Sequence, residues 1–529
     1  MLHDVIGSEP DGVDPPRVAR PRRPPPPTRF AALAGLVAGA LAVTVGMLAA
    51  SITDVVSPID AVGSEVIDRV PRWVKEQAIQ WFGTDDKAAL RIGIICILAI
   101  AATGLGVLAA RRVWLGVAGI GVFGLIGALA AAHRPGEGAG AAVPSILGAV
   151  VGGIVLHRLL RPRPIEVPGE SRVPLGWDRR RFLIASGAAT AGAATAAGLA
   201  RALENRRVDE IRKATREPLP ANVPAGEVPD IPPDAELFDE TPFLTPNGEF
   251  YRIDTALSFP DVDVDSWRVD ITGKVDTPLQ FSYADLLAMP QVERVITLCC
   301  VSNEVGGEYI GNAVWRGVLL RDLLDQAGVH DDAEQVFSTS LDGWTCGFPT
   351  AAAFDGRAAM IAIGMNGDTL PLEHGYPARL VVPGLYGYVS ATKWLRKIEL
   401  TTWAKQGYWV PRGWSRDGPI KTQSRIDVIR TQSGAAGKRI IAGVAWAQHR
   451  GIDRVEVQID DGDWQQATLA ADVTDDAWRQ WLLEWDPAPG TYRLRVRATD
   501  KTGETQTADT SPVAPDGATG YHTIRVRVD

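Results

Sequence analysis

Cysteine is scarce in this chain: four residues in 529, at positions 96, 299, 300 and 346. No pair has CxxC spacing and no set has zinc-ligand spacing, so neither a disulfide framework nor a structural zinc site is expected. Cys299 and Cys300 are adjacent, and their diverging side chains make them poor disulfide partners. There is no CxxCH haem-attachment site and no cytochrome-like segment, so electrons, if the chain handles any, need a separate carrier. Basic residues are in the minority: 54 Lys and Arg against 63 Asp and Glu give a net charge of −9. The acidic excess lies mainly in the C-terminal part, which argues against nucleic acid as a partner. Charged side chains are also missing from the long apolar runs of the first two hundred residues, which removes the usual mark of a transport path.

Those runs are the first thing that is there. Residues 1–29 are Pro- and Arg-rich, end in RPRRPPPPTR, and read as a disordered tail. Phe30 to Ser51 is then an apolar run of about twenty residues, enough to cross a hydrocarbon core of roughly 30 Å. Further spans read at Ile92 to Ala110, Val113 to Ala132, Ala141 to Leu156 and Phe182 to Ala200, giving a five-span helical membrane region over 30–200. Arginines gather in alternate loops: in the tail, at Arg111-Arg112, and before span five at Arg158, Arg161, Arg163, Arg172 and Arg179 to Arg181. By the positive-inside rule these loops are cytoplasmic, which makes the chain multi-pass in the plasma membrane, its N-terminus inside and everything after Ala200 outside. Ser64 to Gly83 mixes charge with apolar residues and reads as an amphipathic helix on the outer surface. Gly119-Ile-Gly121-Val-Phe-Gly124 satisfies GxGxxG but falls inside span three with no preceding strand, so it reads as small residues for helix packing.

Arg201 to about Glu240 turns charged and then proline-rich, a linker. Over 241–423, strand-like runs (Trp267 to Thr272, Val295 to Cys300, Ala378 to Val382, Lys397 to Thr402) alternate with short helices (Tyr283 to Ala288, Leu319 to Ala327), an α+β pattern. Over 424–529, VEVQIDDGDWQQATL, RQWLLEWD and YRLRVRATDKTG alternate with Asp-Gly and Pro-Gly turns, the pattern of a β-sandwich of immunoglobulin-like type.

The chemistry concentrates in VITLCCVSNEVGGEYIGNAVWRGV, Val295 to Val318. A period of two sends Leu298 and Cys300 to one face of the strand and Thr297 and Cys299 to the other, so one thiol of the pair can point into a given cavity. The turn-rich Ser302-Asn303-Glu304-Val305-Gly306-Gly307 that follows places Cys300 at a strand end opening into a loop, where a reactive or metal-binding side chain is commonly displayed. Taken alone, the pair reads equally as two buried, inert thiols.

Thr297-Leu298-Cys299-Cys300-Val301-Ser302-Asn303, followed by Trp315-Arg316-Gly317-Val318, resembles the cysteine loop of the sulfite oxidase family of molybdenum enzymes. Gly364-Met-Asn-Gly-Asp368, Leu372-Glu-His-Gly-Tyr-Pro-Ala-Arg-Leu-Val-Val-Pro-Gly-Leu-Tyr-Gly387 and Thr392-Lys393-Trp394-Leu395 resemble further signatures of that family in order and spacing. The resemblance covers roughly 241–529. It implies a molybdenum ion held by the Cys300 thiolate beside the dithiolene of one molybdopterin. It implies that Arg379 meets the phosphate, that His374, Lys393, Tyr388 and Ser390 contact the cofactor, that Tyr251 and Arg252 touch the pterin, and that Asn303 braces the cysteine loop. An anionic, donor-rich cofactor needs such cations and fixed polar groups. It further implies oxygen-atom transfer on a small-molecule substrate, a quinone system or cytochrome as electron carrier, and a C-terminal domain of the type that makes homodimers. Arg179-Arg180-Arg181-Phe182-Leu183 resembles the twin-arginine export signal, whose pathway carries proteins folded around cofactors.

One departure bears on substrate. Where sulfite oxidases carry an arginine after the loop asparagine, this chain has Glu304 and then Val305, and an acidic group there repels sulfite. Reduction of a sulfoxide or N-oxide fits that departure, with oxidation of a sulfur compound, sulfite oxidase proper among them, as the alternative. The competing reading from another class is a membrane sensor or scaffold that keeps the fold without the cofactor; Cys300, Arg379 and Lys393 together speak against it.

Overall fold

The computed structural model describes residues 26–71, 74, 77, 81–82, 86–134, 137–161, 163–164, 175–176, 178–215, 219, 229–260, 262–431 and 438–528. Most of the expected tail, much of the proline-rich linker and parts of Ser64 to Gly83 lie outside the described residues. The chain divides into two compact units, one of Met1–Ala49, Ile92–Ala128 and Val143–Leu199, the other of Ala50–Arg91, Leu129–Ala142 and Ala200–Asp529.

Six helices of the first half are α1 (Thr28–Thr53), α2 (Pro58–Arg69), α3 (Asp86–Arg111), α4 (Val113–Ala132), α5 (Val143–Leu160) and α6 (Arg179–Thr215). All but α2 are long and apolar enough to cross a membrane. The first unit packs Phe30, Ala31, Ala34, Ala38, Leu156 and Phe182 into a small core, while Ile97 and Ile100 of α3 stay 64% and 73% exposed. Glycine lets the backbones touch: a Cβ on Gly35 would sit 2.1 Å from the Ala102 carbonyl oxygen. A Cβ on Gly124, the last glycine of the GxGxxG run, would sit 2.3 Å from Ala149 Cβ, so that glycine sits where α4 meets α5. Arg201 to Thr215, expected to begin a linker, continues α6 as helix.

In the second unit, two five-stranded sheets carry the α+β part. The first runs β8 (Asp368–Thr369), β7 (Met360–Met365), β4 (Ile310–Leu319), β3 (Val292–Cys299), with β9 (Arg379–Val381) also on β7. The second runs β2 (Leu279–Ser282), β1 (Arg268–Gly273), β10 (Leu395–Thr401), β5 (Gln335–Ser340), β6 (Thr345–Pro349), with β10 parallel to β1 and antiparallel to β5. Helix α7 (Tyr283–Ala288) starts on a capping box, Ser282 and Asp285 each accepting from the other's backbone N–H. Helix α8 (Leu320–Ala327) buries Leu320, Leu323, Leu324 and Ala327 and stops at left-handed Gly328.

After them come two four-stranded antiparallel sheets, β11 (Gln423–Thr431), β12 (Arg439–Trp446), β16 (Arg479–Trp485), β15 (Thr468–Leu469), and β14 (Trp464–Gln466), β13 (Ile452–Ile459), β17 (Gly490–Asp500), β18 (His522–Val528). Alternation builds their shared core: Leu494, Val496 and Ala498 point in with Ile441, Val455 and Trp481, and Arg493, Arg495 and Arg497 stay partly exposed. These sheets also join the preceding core, because Val444, Trp446 and Trp478 pack in one cluster with Val295, Cys299 and Ile398.

Candidate active site

The cysteine loop grows out of the edge where β3 meets β4. Cys299 pairs with Ile310, and the next residue leaves the strand, the Cys300 N–H donating to the Tyr309 carbonyl at 2.9 Å. The alternation expected along β3 is present: Ile296 and Leu298 pack with Phe250 and Trp315, whereas Val295 and Cys299 pack into the main core. A turn then forms from the Asn303 N–H to the Cys300 carbonyl at 3.0 Å, and Gly306 takes φ +81°. Asn303 Oδ1 accepts from the Tyr309 N–H at 2.8 Å, tying the two ends of the loop, while its Nδ2 is buried without a hydrogen-bond partner among the described residues. The C-terminal sheets hold the loop from behind: Arg425 Nη1 donates to the Gly307 carbonyl at 2.7 Å, and Gln448 Nε2 donates to the Thr297 carbonyl at 3.1 Å.

Burial pushes both thiols up, Cys299 well above the ordinary value. For Cys300 that rise is opposed by hydrogen bonds from Ser302 and then by the Lys393 charge, for Cys299 by the Arg425 charge alone, so Cys300 is the thiol with hydrogen bonds favouring its thiolate. Cys346 is buried against Ser338 Oγ (3.3 Å) and Thr392 Oγ1 (3.1 Å), and burial lifts it to about 11.

Arg379 opens β9 and is 5% exposed. Its Nη1 donates to the His374 carbonyl at 3.0 Å and its guanidinium stands 5.0 Å over the Trp315 ring, yet no carboxylate among the described residues pairs with it. Burial lowers it to about 10, with Tyr251 opposing. His374 is buried on a short turn; its Nε2–H donates to the Asn247 carbonyl at 2.8 Å, and burial holds the ring down to about 4, hence neutral with Nδ1 as a free acceptor. Lys393 Nζ lies 2.7 Å from Asp254 Oδ2 and 3.2 Å from the Glu373 carbonyl, and burial, opposed by Asp254, brings it down to about 8. Tyr251 stacks on Phe250 at 5.2 Å, and its phenol is pushed up by burial and then by the nearby Cys300 and Cys299. Arg252 Nε bonds Asp254 Oδ2 at 2.9 Å.

Cys300, Tyr251, Arg379 and Lys393 thus share one electrostatic neighbourhood. The remaining expected residues are placed differently. Tyr388 Oη donates to the Ser415 carbonyl at 2.8 Å and Ser390 Oγ donates to the Tyr386 carbonyl at 3.1 Å, so both hydroxyls are used by the main chain. Glu304 is exposed and contributes its carbonyl, accepting from the Gly307 N–H at 2.9 Å, to the loop turn.

Sequence reasoning missed Asp254, Asn247 and Tyr386, whose phenol is raised by burial and then by the thiols of Cys299 and Cys300. Asp254 sits two residues beyond Arg252, and its one signal was an acid close to the arginine of the expected cofactor segment. The Trp315-Arg316-Gly317 motif has a local reason as well: Trp315 Nε1 donates to the Ile296 carbonyl at 3.1 Å, and a Cβ on Gly317 would lie 2.1 Å from the Ile361 carbonyl oxygen.

Residues 256–409 match the oxidoreductase molybdopterin binding domain. Rat mitochondrial sulfite oxidase is 31% identical over 300 residues, 48% of this chain and 54% of the relative. An uncharacterized oxidoreductase, YuiH, of Bacillus subtilis is 35% identical over 156 residues, 30% of this chain and 76% of that protein. Sulfite oxidase of Arabidopsis thaliana is 30% identical over 279 residues, 43% of this chain and 70% of the relative. The chain belongs to the sulfite oxidase family of molybdopterin-dependent oxidoreductases. It spans about half the length of the rat enzyme.

The family's cofactor is molybdopterin with molybdenum, and the donor set here fits it. Among the described residues no three His, Cys, Asp or Glu side chains group to hold a metal by themselves. The buried Arg379 without an acid, the neutral His374 with a free Nδ1 and the orphaned Asn303 Nδ2 are groups whose burial an anionic, donor-bearing ligand offsets.

Proposed function

We propose that this chain performs oxygen-atom transfer at a mononuclear molybdenum site held outside the cytoplasmic membrane, with electrons exchanged through a separate carrier. The observation that carries the reading is Arg379: a guanidinium 5% exposed, with no carboxylate partner among the described residues, in the electrostatic neighbourhood of Cys300. Molybdopterin with molybdenum, when bound, would supply the redox chemistry of oxygen-atom transfer. Cys300 is the protein's thiolate ligand, and Lys393 and Ser302 favour its deprotonated form. Arg379 and Lys393 hold the anionic end of the cofactor. His374, with its Nε2–H spent on Asn247, would offer Nδ1 as an acceptor to the cofactor. Tyr251, with a phenol that keeps its proton, is a hydrogen-bond donor at the site. Asn303 braces the loop through Tyr309. Tyr388 and Ser390 shape the neighbouring turn, and Glu304 biases the mouth against anionic substrates.

A neutral oxo-substrate, a sulfoxide or N-oxide, follows from Glu304 standing where sulfite oxidases use arginine. Oxidation of sulfite or another sulfur compound is the second reading, favoured by the relatives named sulfite oxidase. The five apolar helices, with outward isoleucines and Arg111, Arg112, Arg158, Arg161 and Arg179 to Arg181 clustered at alternate ends in sequence, support a multi-pass chain with its N-terminus in the cytoplasm and residues after Ala200 outside. A quinone system or a cytochrome is the electron carrier, the C-terminal sheets are the immunoglobulin-like dimerisation part, and Arg179 to Arg181 serve twin-arginine export.

The test is elemental analysis and electron paramagnetic resonance on the full-length chain and Cys300→Ser. Stoichiometric molybdenum with a Mo(V) signal altered by the substitution supports the reading, and reduction of methionine sulfoxide or an N-oxide in preference to sulfite oxidation supports its direction. A folded chain that takes up neither metal nor pterin sinks it.

A further inference from the structure

A line of charged groups leads from the ends of two apolar helices to the cofactor pocket. Lys87, in the first turn of α3, places Nζ 2.6 Å from Asp254 Oδ1. The other carboxylate oxygen of Asp254 is 2.7 Å from Lys393 Nζ and 2.9 Å from Arg252 Nε. Burial alone would raise the Asp254 carboxyl; Lys393, Lys87 and Arg252 together hold it well below the usual carboxylate range. Lys393 Nζ also donates to the Glu373 carbonyl at 3.2 Å, and the Glu373 carboxylate accepts from Arg212 Nε, near the end of α6, at 2.7 Å. Glu373 immediately precedes His374. Arg212 and Arg252 both stand over the Phe259 ring, at 5.9 Å and 4.3 Å. Beside Lys87, Arg91 Nη2 donates to the Leu257 carbonyl at 2.6 Å, and Arg91 Nε bonds Asp60 of α2 at 2.9 Å.

Exposure falls along this line, from 42% for the Arg212 side chain and 27% for Lys87 to 11% for Lys393 and 5% for Asp254. The inner members are desolvated, so each depends on its partners for both charge balance and position. Neither Lys87 nor Arg212 is among the residues carried over from the family signatures.

We propose that Lys87 and Arg212 are positioning residues of the molybdopterin pocket, fixing Lys393 and the His374 turn through Asp254 and Glu373. The inference rests on Lys393 being a cofactor contact, as read above. It gives the apolar helices a second task besides anchoring: α3 and α6 bring the outer supports of the pocket with them. A fragment beginning at Arg201 therefore lacks Lys87 and the contact it makes with Asp254.

The experiment uses the full-length chain in nanodiscs, native and as Lys87→Ala, Lys87→Arg, Arg212→Gln, Asp254→Asn and Lys87→Ala with Asp254→Asn. Two quantities are read: backbone hydrogen exchange of peptides covering 252–259 and 371–395 in the cofactor-free chain, and the rate of pterin loss from the loaded chain. Lys87→Ala and Arg212→Gln each speed both by about threefold to tenfold, the range for removal of a charge-assisted bond. Lys87→Arg stays within about twofold of native, and Lys87→Ala adds nothing once Asp254→Asn is present. Arg212→Gln carries the test should Lys87→Ala fail to fold. Unchanged exchange and release in both variants, no rescue by arginine, or additivity with Asp254→Asn overturns the inference. A native chain that binds no pterin sinks the functional reading instead, while exchange in the cofactor-free chain still decides whether Lys87 and Arg212 support the pocket.

Discussion

Two buried arginines in the second unit meet opposite circumstances. Arg425, in the C-terminal sheets, is 9% exposed and its guanidinium lies against Asp427, itself nearly buried, with a spare N–H on the Gly307 carbonyl. Arg379, at the pocket, is 5% exposed, donates to the His374 carbonyl and stands over the Trp315 ring, and no carboxylate among the described residues pairs with it. A buried carboxylate answered in the same way as Arg425 is Asp500 of β17, fully buried and served by Arg450, Thr422 and Thr502. A buried charge left unanswered from within the chain is a candidate for a ligand of opposite charge.

The sharpest break between the two thiols comes first. Cys300→Ser lowers oxygen-transfer turnover by more than about a hundredfold, beyond the tenfold to hundredfold that loss of a supporting hydrogen bond costs a metal site. Cys299→Ser, which puts a hydroxyl into the main core, keeps molybdenum and instead lowers stability by about 1 to 3 kcal/mol. Metal content and thermal unfolding of both variants check this.

Next, Arg425→Met strands Asp427 and costs roughly 3 to 5 kcal/mol, whereas Arg379→Met shifts the stability of the cofactor-free chain by no more than about 2 kcal/mol, since no buried acid is abandoned. Paired denaturation curves decide it, and equal losses would erase the distinction.

A pH effect follows from His374. Its folded-state value, about 4, lies below its ordinary 6.5, so the unfolded chain takes up a proton that the folded chain refuses. Stability therefore falls as pH drops from about 6.5 to about 4, by about 3 kcal/mol at full extent. His374→Gln flattens that part of the unfolding-versus-pH curve.

The smallest effect is at the mouth. Glu304→Arg raises kcat/KM for sulfite by a few-fold, about what one exposed charge is worth, and steady-state kinetics with sulfite as donor would show it.

Much of this was legible because it is local. The period of two in Val295 to Cys299 puts Leu298 and Cys299 into different clusters, while Cys300 lies just past the strand end. The short helix Tyr283 to Ala288 was readable from its Ser-x-x-Asp start and begins and ends where expected. The apolar runs mark five long helices, although charge at Arg201 hid the continuation of α6, because a helix leaving an apolar environment turns polar without stopping. What local pattern does not carry is pairing across the chain. Asp254 is joined to residues 139 and 167 positions away, and nothing in its neighbours announces Lys87. Likewise, Tyr388 and Ser390 look like donors to a cofactor in sequence, but the turn they sit in spends their hydroxyls on carbonyls.

We propose that the unanswered charge of Arg379 serves molybdopterin. The most direct measurement is pterin and molybdenum per chain in purified full-length protein, native against Arg379→Met, with thermal unfolding run on the same samples. The account predicts close to one pterin and one molybdenum in the native chain and loss of both in the variant, with the unfolding midpoint of the cofactor-free forms little changed. A variant that retains both groups in full, or a well-folded native chain that carries neither, would contradict it.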